Sequence, residues 1–336
     1  MVSLEDSSQT LMDAIWRESI AEFQKGHLPL IISVPHGGHL FPSSIPDRKK
    51  MFPGVVKSND INTQEIGRAL SDLISKRFKG LKPYLLVNHL GRSKIDVNRP
   101  MNEGTEVVKG VKNQDFIDYT KKNINAGVDV NYTNGINEGF NQTFESETQI
   151  VWNDYHTFMK SAVEEIEERF NYGIVIDLHG HGHPENYIEL GYVLSSEILS
   201  LPTNELNSDQ SIPSRSSIRA LYTRMQSALN FVDLLLGETT SFGGILQSYG
   251  YGTIPSYAHP YPKQNERYFH GGYIVQKYGS RHGEQVVDAI QIELPRKIRL
   301  GSKETRETFT KTLSNTVSWL LKEYYLRKPG NLNQAS

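Results

Sequence analysis

Residues 173–183 read GIVIDLHGHGH. Four apolar residues, three of them β-branched, surround one Asp, and the run ends on a His followed by alternating Gly and His. A short apolar run of this kind, bounded by turn residues, reads as a strand buried on both faces. Just before it, Val151, Tyr155, Phe158, Ala162, Val163, Ile166 and Phe170 recur at helical spacing and form one apolar stripe. Helix followed by buried strand is the repeating unit of an α/β fold. The unit recurs on both sides. LPLIISVPHGG (28–38) is a buried strand running into a tight loop, and residues 62–77 place Ile66, Leu70, Leu73 and Ile74 on one helical face. PYLLV (83–87) and AIQIEL (289–294) are two more buried strands. Phe309, Leu313, Val317, Leu320 and Leu321 mark a closing helix. The expected fold is α/β, a mixed, mostly parallel central sheet with helices on both faces.

Outside these elements, residues 1–27 read as an N-terminal helical extension, with Leu11, Ile15 and Phe23 on one side. Residues 28–330 then form a single domain, carrying polar insertions at 101–145 and 201–216. A helical segment is expected over Ile218–Leu236 and an ordered loop over 253–272.

Composition narrows the function classes. Of 336 residues, Lys and Arg supply 36 and Asp and Glu 38, a near balance that lacks the basic excess of a nucleic-acid binder. The chain has no Cys, which excludes disulfides, thiolate metal sites and a Cys nucleophile. No apolar run approaches the roughly 20 residues of a membrane helix. Residues 1–20 carry acids early and lack the basic-then-apolar pattern of a signal peptide. These features point to the cytoplasm, with a secreted mature form as the alternative, and to neither nucleic acid nor membrane as partner; they leave the oligomeric state open.

In parallel sheets, ligands sit beyond the carboxyl ends of the strands, so the polar residues just after each strand are the ones to weigh. The first buried strand ends at His36. The second runs into His89, Arg92, Asp96, Asn98 and Arg99, and the third ends on Asp177 and His179 before His181 and His183. The fourth carries Glu293, and Asp60 precedes the helix after the first strand. Catalytic zinc sites use three protein ligands and keep one position for water. His36, Asp60 and His179 supply two nitrogens and a carboxylate oxygen for one Zn2+ per chain. Asp60 read only as a helix cap, or Glu65 as the ligand in its place, are the alternatives. Glu293, a lone acid in an apolar strand, needs a partner. It is either a general base beside the metal-activated water or a structural ion pair with Arg296 or Arg299. Arg92 and Arg99 are suited to a substrate carboxylate. Asp177 is placed to orient a ligand histidine, and Gln291 should share the face of Glu293. Tyr155 and His156 are expected to anchor the long helix.

These motifs resemble the N-formylglutamate amidohydrolase family. The matching pieces are SVPHGG (33–38), SND (58–60), GRSKIDVNRP (91–100), Tyr155–His156, IDLHGHG (176–182), GGYIVQKYG (271–279) and AIQIEL (289–294), in the family's order. The resemblance implies a zinc-carboxypeptidase-like (phosphorylase/hydrolase-like) fold and hydrolysis of the amide bond of an N-acyl amino acid, with N-formylglutamate as reference. By it, His36, Asp60 and His179 match the metal ligands and Glu293 the catalytic carboxylate. Arg92, Asn98 and Arg99 match the substrate-carboxylate region, with Tyr273 and His181 added as substrate contacts. The chain departs from the family's bacterial deformylases after His179, where Gly180, His181 and His183 replace a serine-containing run, and in segments 101–145 and 184–250. That leaves the acyl group and amino acid open. A carboxypeptidase, a γ-glutamyl-peptide hydrolase and a non-catalytic carboxylate binder are the rival readings. The chain has no GxxxxGK[ST], HExxH or GxSxG motif.

Overall fold

The computed structural model describes residues 20–43, 45–48, 55–105, 147–281 and 283–326. Its centre is one seven-stranded sheet of order β1-β3-β2-β4-β7-β5-β6. The strands are β1 (Ala21–Gln24), β2 (Leu30–Val34), β3 (Tyr84–Asn88), β4 (Gly173–Gly180), β5 (Ile188–Gly191), β6 (Thr253–Ile254) and β7 (Val287–Leu294). The inner four, β3, β2, β4 and β7, pair parallel. β1 joins β3 and β5 joins β7 antiparallel. The sheet is mixed and mostly parallel, as the alternation of apolar runs and amphipathic stripes requires.

Strand alternation divides the core in two. Leu30, Ile32 and Val34 of β2, Ile174, Ile176 and Leu178 of β4, and Ile290, Ile292 and Leu294 of β7 point to one side. There they meet Ile66, Leu70 and Ile74 of helix α1 (Thr63–Arg77) and Phe309, Leu313 and Val317 of the closing helix Lys303–Leu320. Ile31, Val175 and Ala289 point to the other side, against Val151, Tyr155, Met159 and Ile166 of helix α2 (Glu147–Phe170). Each such side chain contributes about 1.5–3 kcal/mol when fully buried, so this double core carries the fold. Among the described residues no helix is long and apolar enough to cross a membrane.

The second face changes character toward the strand ends. Following β4 from Val175, the same side presents Asp177 and then His179. Following β7 from Ala289, it presents Gln291 and then Glu293. The apolar floor under α2 therefore becomes a polar edge at the carboxyl ends, and this edge carries the candidate site.

Three expectations need correction. Residues 21–24, expected in the N-terminal helix, form edge strand β1, paired Ala21 to Asn88 through Gln24 to Leu85. The open hydrogen-bonding edge of β3 outweighs weak helical spacing there. Residues 1–19 lie outside the described residues, as do 106–146 of the first insertion; Met101–Gly104 is one helical turn. The second polar insertion, 201–216, carries two short helices, Thr203–Ser208 and Ser211–Arg215, held by the buried Leu206 and Ile212. The segment Ile218–Leu236 is two helices, Arg219–Met225 and Phe231–Leu236. They break at Asn230, whose side chain accepts from Asp233 N–H at 2.9 Å while its own N–H is taken by the Asp233 carboxylate. Strands β5 and β6 were not anticipated.

His156 anchors α2 to the 97–98 segment, as expected of it. Its Nε2 lies 2.9 Å from the Val97 carbonyl oxygen and its Nδ1 2.8 Å from the Tyr278 hydroxyl. Burial, with Lys277 nearby, pushes its pKa down to about 3. The unfolded chain therefore takes up this proton below its pKa of about 6.5, and the folded chain does not until near 3. Stability from this residue is present above pH 6.5 and is lost as pH falls toward 3, at about 1.4 kcal/mol per pH unit per proton. Denaturant melts of His156→Gln between pH 7 and pH 4 are expected to lose up to one proton's worth of acid slope relative to the native chain. Equal slopes would place the acid sensitivity elsewhere.

Candidate functional site

Sheet register builds the site. His179 of β4 is the Cα partner of Glu293 of β7, and Glu293 is the Cα partner of Glu189 of β5. Neighbouring strands stand about 4.8 Å apart, so His179, Glu293 and Glu189 form one row across three strands. One pleat below, Ser33, Asp177 and Gln291 form a second row.

His36 and Asp60 are brought to this edge by the loop after β2. A Cβ at Gly38 would collide with the Leu90 carbonyl, so glycine lets the chain turn close against the segment after β3. The Asp60 N–H donates to the His36 carbonyl at 2.9 Å, tying the two ligand candidates through the backbone. Asp60 does not cap α1; Asn62 occupies the cap position. Glu65, the rival ligand, instead pairs with Arg306 at 3.0 Å.

His36 Nδ1, His179 Nδ1 and Asp60 Oδ2 form a nearly equilateral triangle, 3.1 Å between the two nitrogens and 3.4 Å from each to the oxygen. Ligands of a tetrahedral ion at about 2.0–2.1 Å stand about 3.3–3.4 Å from one another, so the triangle has the spacing of three corners of such a site. The far side of each ring is fixed by a carboxylate. His36 Nε2 lies 2.6 Å from Asp96 Oδ1 and His179 Nε2 2.7 Å from Asp177 Oδ2. A carboxylate accepts the Nε2 proton, which leaves the Nδ1 lone pairs facing one another. Asp177 is held in turn by the Ser33 hydroxyl at 2.6 Å, and Ser33 meets the Tyr155 hydroxyl at 2.9 Å. Burial works against charge on His179, yet Asp177 and Asp60 outweigh it and push its pKa up to about 10. Burial likewise opposes the Asp60 carboxylate, and His179 and His36 outweigh it, holding Asp60 below the usual carboxylate range. The three groups attract positive charge.

Glu293 is 6% exposed. Gln291 Nε2–H donates to its Oε1 at 3.0 Å, while Oε2 is buried with no hydrogen-bond partner among the described residues. Burial pushes its carboxyl up to about 8; His179 and Arg92 oppose this, and Asp60 and Glu189 add to it. The structural ion pair considered for Glu293 is not formed. Arg299 donates instead to the carbonyls of Leu294, Ile61 and His181, at 3.0 Å each. Its guanidinium crosses Gly180, where a Cβ would collide with it.

These groups line a cavity of about 490 Å³, a size suited to a small ligand. Four arginines also line it: Arg92, Arg99, Arg267 and Arg296. Arg92 is committed to Asp96 at 3.0 Å and lies 3.9 Å from Asp60, so its charge is largely spent inside the site. Among the described residues, Arg99, Arg267 and Arg296 have no ion-pair partner. Arg267 and Arg296 were not anticipated as cavity residues, because only the folding of loop 262–272 and the turn after β7 brings them there.

The remaining candidates divide. His181 lines the cavity, as expected. Asn98 reaches it as well, but its amide is engaged: Oδ1 accepts the Ile274 N–H at 2.7 Å and Nδ2 lies 3.2 Å from His179 Nε2. Through the Ile274 N–H it holds the start of helix Tyr273–Tyr278 at the cavity edge. Tyr273, expected as a substrate contact, stands back from the cavity wall. Its ring packs against Trp152 and His156, centroids 6.1 and 5.5 Å apart. Asp96 was named among the polar residues after the second strand, but its contact to His36 was not anticipated. Glu189 was missed because β5 was.

Residues 28–191 match the model of the N-formylglutamate amidohydrolase family. The matched segment holds His36, Asp60, the 91–100 motif and His179; Glu293 lies beyond it. A crystal structure of N-formylglutamate amidohydrolase from Ralstonia eutropha JMP134 is similar over 91% of this chain and 98% of its own, at 13% identity and a TM-score of 0.47. A crystal structure of a gene product from Agrobacterium tumefaciens is similar over 92% and 96%, at 11% identity and a TM-score of 0.43. No curated protein sequence matches this one. The resemblance read from SVPHGG to IDLHGHG is borne out by the family match, and that family is one of amidohydrolases.

Proposed function

We propose that the chain is a metal-dependent amidohydrolase cleaving the amide bond of an N-acyl amino acid of the N-formylglutamate type. In this reading His36, Asp60 and His179 hold one Zn2+ and Glu293 is the general base. The observation that carries it is the adjacency of two features: three electron-rich atoms at metal-ligand spacing, and a buried carboxylate oxygen with no partner. The donor set, two imidazoles and one carboxylate, suits a catalytic zinc site with a position left open. A divalent cation there supplies Lewis acidity and lowers the pKa of water bound to it.

The chain's own residues do the rest. Asp96 and Asp177 hold the two imidazoles as Nδ1 ligands and raise their basicity. Glu293 Oε2 takes a proton from the attacking water as its oxygen bonds to the amide carbon. It returns that proton to the nitrogen as the C–N bond breaks, releasing an amine and a carboxylic acid, whose remaining proton is lost to solvent. Gln291, held by the Gly272 N–H at 2.7 Å, fixes Oε1 and leaves Oε2 unbonded for proton transfer. Arg99, Arg267 and Arg296 present cationic groups to the substrate's carboxylate.

The test is a panel of N-acyl amino acids and their α-amides, assayed by amine release. Losing a charged hydrogen-bonded group costs about 1.5–3 kcal/mol, so kcat/KM is expected to fall about 10–100-fold when the carboxylate is neutralised. Equal rates on the neutral amides would remove the arginines from recognition. Turnover confined to peptides with a free C-terminus would move the activity to the carboxypeptidase type.

A further inference from the structure

After His179 the chain departs from the family's bacterial deformylases, and the two glycines of that run, Gly180 and Gly182, each carry a guanidinium group. Arg299 crosses Gly180 and spends its donors on the carbonyls of Leu294, Ile61 and His181. Arg296 opens the same helical turn, Arg296–Arg299, and lies on Gly182. A Cβ at Gly182 would stand 3.1 Å from its Nε and 3.2 Å from its Cζ and Nη2, so the face of the guanidinium rests against the glycine. Unlike Arg299, Arg296 gives its side-chain donors to no group among the described residues, and it lines the cavity. A surface arginine that is merely solvated needs no such seat. A guanidinium laid on a glycine at a cavity wall, its donors unspent, is pre-arranged for a planar anion.

The place of Arg296 in the fold decides which part of a substrate it meets. Its helical turn packs at the start of α1: Arg299 donates to the Ile61 carbonyl at 3.0 Å, and the Asn62 side chain donates to the Arg299 carbonyl at 2.7 Å. Arg99 belongs to the opposite side of the sheet, where its carbonyl accepts from the Trp152 indole of α2 at 3.0 Å. His179 and Glu293, paired on adjacent strands, stand on the sheet edge that separates these two layers. The cavity crosses that edge and takes in Arg99, His179, Glu293 and Arg296. With the amino-acid carboxylate on Arg99 and the scissile carbonyl at His179 and Glu293, the part of the substrate that continues toward Arg296 is the acyl group. A formyl group ends at the reacting carbon and leaves Arg296 without an anion.

We propose that Arg296, seated on Gly182, is an anion subsite for the acyl half of the substrate, so that the preferred substrate is an N-acyl amino acid whose acyl group itself ends in a carboxylate. The inference rests on the hydrolase reading above and deepens it. Water adds across the amide bond as before. The nitrogen leaves with a proton as the free amino acid, and the acyl carbon keeps the oxygen as a dicarboxylic acid.

The test uses the full-length, metal-loaded protein and amine release from N-malonyl-, N-succinyl- and N-glutarylglutamate, each beside the analogue whose terminal acid is an amide. N-acetylglutamate and N-acetylglutamine are the reference pair, because they differ only on the amino-acid side. For the acyl chain of best length, kcat/KM of the acid is expected to exceed that of its amide about 10–100-fold, the worth of one charged hydrogen-bonded group. In Arg296→Gln, and in Gly182→Ala, which crowds the guanidinium off its seat, that ratio should fall toward unity while the glutamate-to-glutamine ratio keeps its native value. Circular dichroism checks folding, and the native ratio decides the matter if a variant misfolds. A native ratio near unity for all three acids, with N-acetylglutamate hydrolysed, overturns the acyl-side subsite and leaves the hydrolase reading standing. A native preference that survives in both variants overturns Arg296 as its cause. A fall in the glutamate-to-glutamine ratio in Arg296→Gln would move Arg296 to the amino-acid side and overturn the assignment. No amine release from any of these compounds removes the hydrolase reading, and the subsite with it.

Discussion

Glu293→Gln is expected to lower turnover by about 10²–10⁴-fold, the usual contribution of a positioned general base, while the ion held by His36, Asp60 and His179 stays bound. The amide keeps the shape of the carboxyl group and can still bond Gln291, which lies 3.0 Å from Oε1. It cannot accept and return the proton. The variant should fold normally, because a neutral amide spares the buried strand a charge that burial disfavours; that disfavour is what drives the native carboxyl up to about 8. The measurement is steady-state kcat on the best N-acyl amino acid, beside metal analysis of the same preparation. Near-normal kcat would take Glu293 out of proton transfer. Loss of both metal and turnover would make it a ligand rather than a base.

The sequence was informative where one local signal sufficed. β2, β4 and β7 are near-continuous runs of Ile, Val and Leu buried on both faces, so composition alone marks them, and their polar ends are visible as breaks in an apolar pattern. Asp177 and Glu293 stand out because an acid inside such a run needs a reason. Short edge elements gave no comparable signal. β1 has four residues with helical spacing, and β5 has four with Glu189 in the middle; each becomes a strand only because a neighbour offers an open edge. Glu189 was therefore missed, though IEL followed by Gly carries the same acid-in-apolar-run clue as IQIEL. Tyr273 was misjudged for the converse reason. Tyr273 was taken as a substrate contact next to two glycines, whereas burial of Ile274, Val275 and Tyr278 makes Tyr273–Tyr278 a helix whose first ring turns toward Trp152. Asp96 has two neighbours at once, Arg92 at 3.0 Å and His36 at 2.6 Å. Spacing could show the first, four residues away, and only the fold shows the second.

Removing His179 should have the largest effect of any single change. His179→Ala is expected to lose one equivalent of bound metal and to lower turnover at least about 10³-fold, since the fall in the pKa of water from 15.7 to about 7 on a catalytic cation goes with it. His179 supplies one of three convergent atoms, and the remaining pair, His36 Nδ1 and Asp60 Oδ2 at 3.4 Å, is too few to hold an ion in a site that keeps an open position. The change also strands Asp177, which is 0% exposed and would lose its 2.7 Å contact to the ring. Some loss of stability is therefore expected even without metal, and activity alone cannot separate the two effects. Asp177→Asn and Asp96→Asn separate them. Each keeps all three ligands and alters only the group that orients an imidazole, so metal affinity should weaken about 10–100-fold and activity should return at higher metal concentration. His179→Ala should not be rescued in this way. An activity that survives in His179→Ala with unchanged metal content would leave the triangle of His36, Asp60 and His179 without a role in the chemistry.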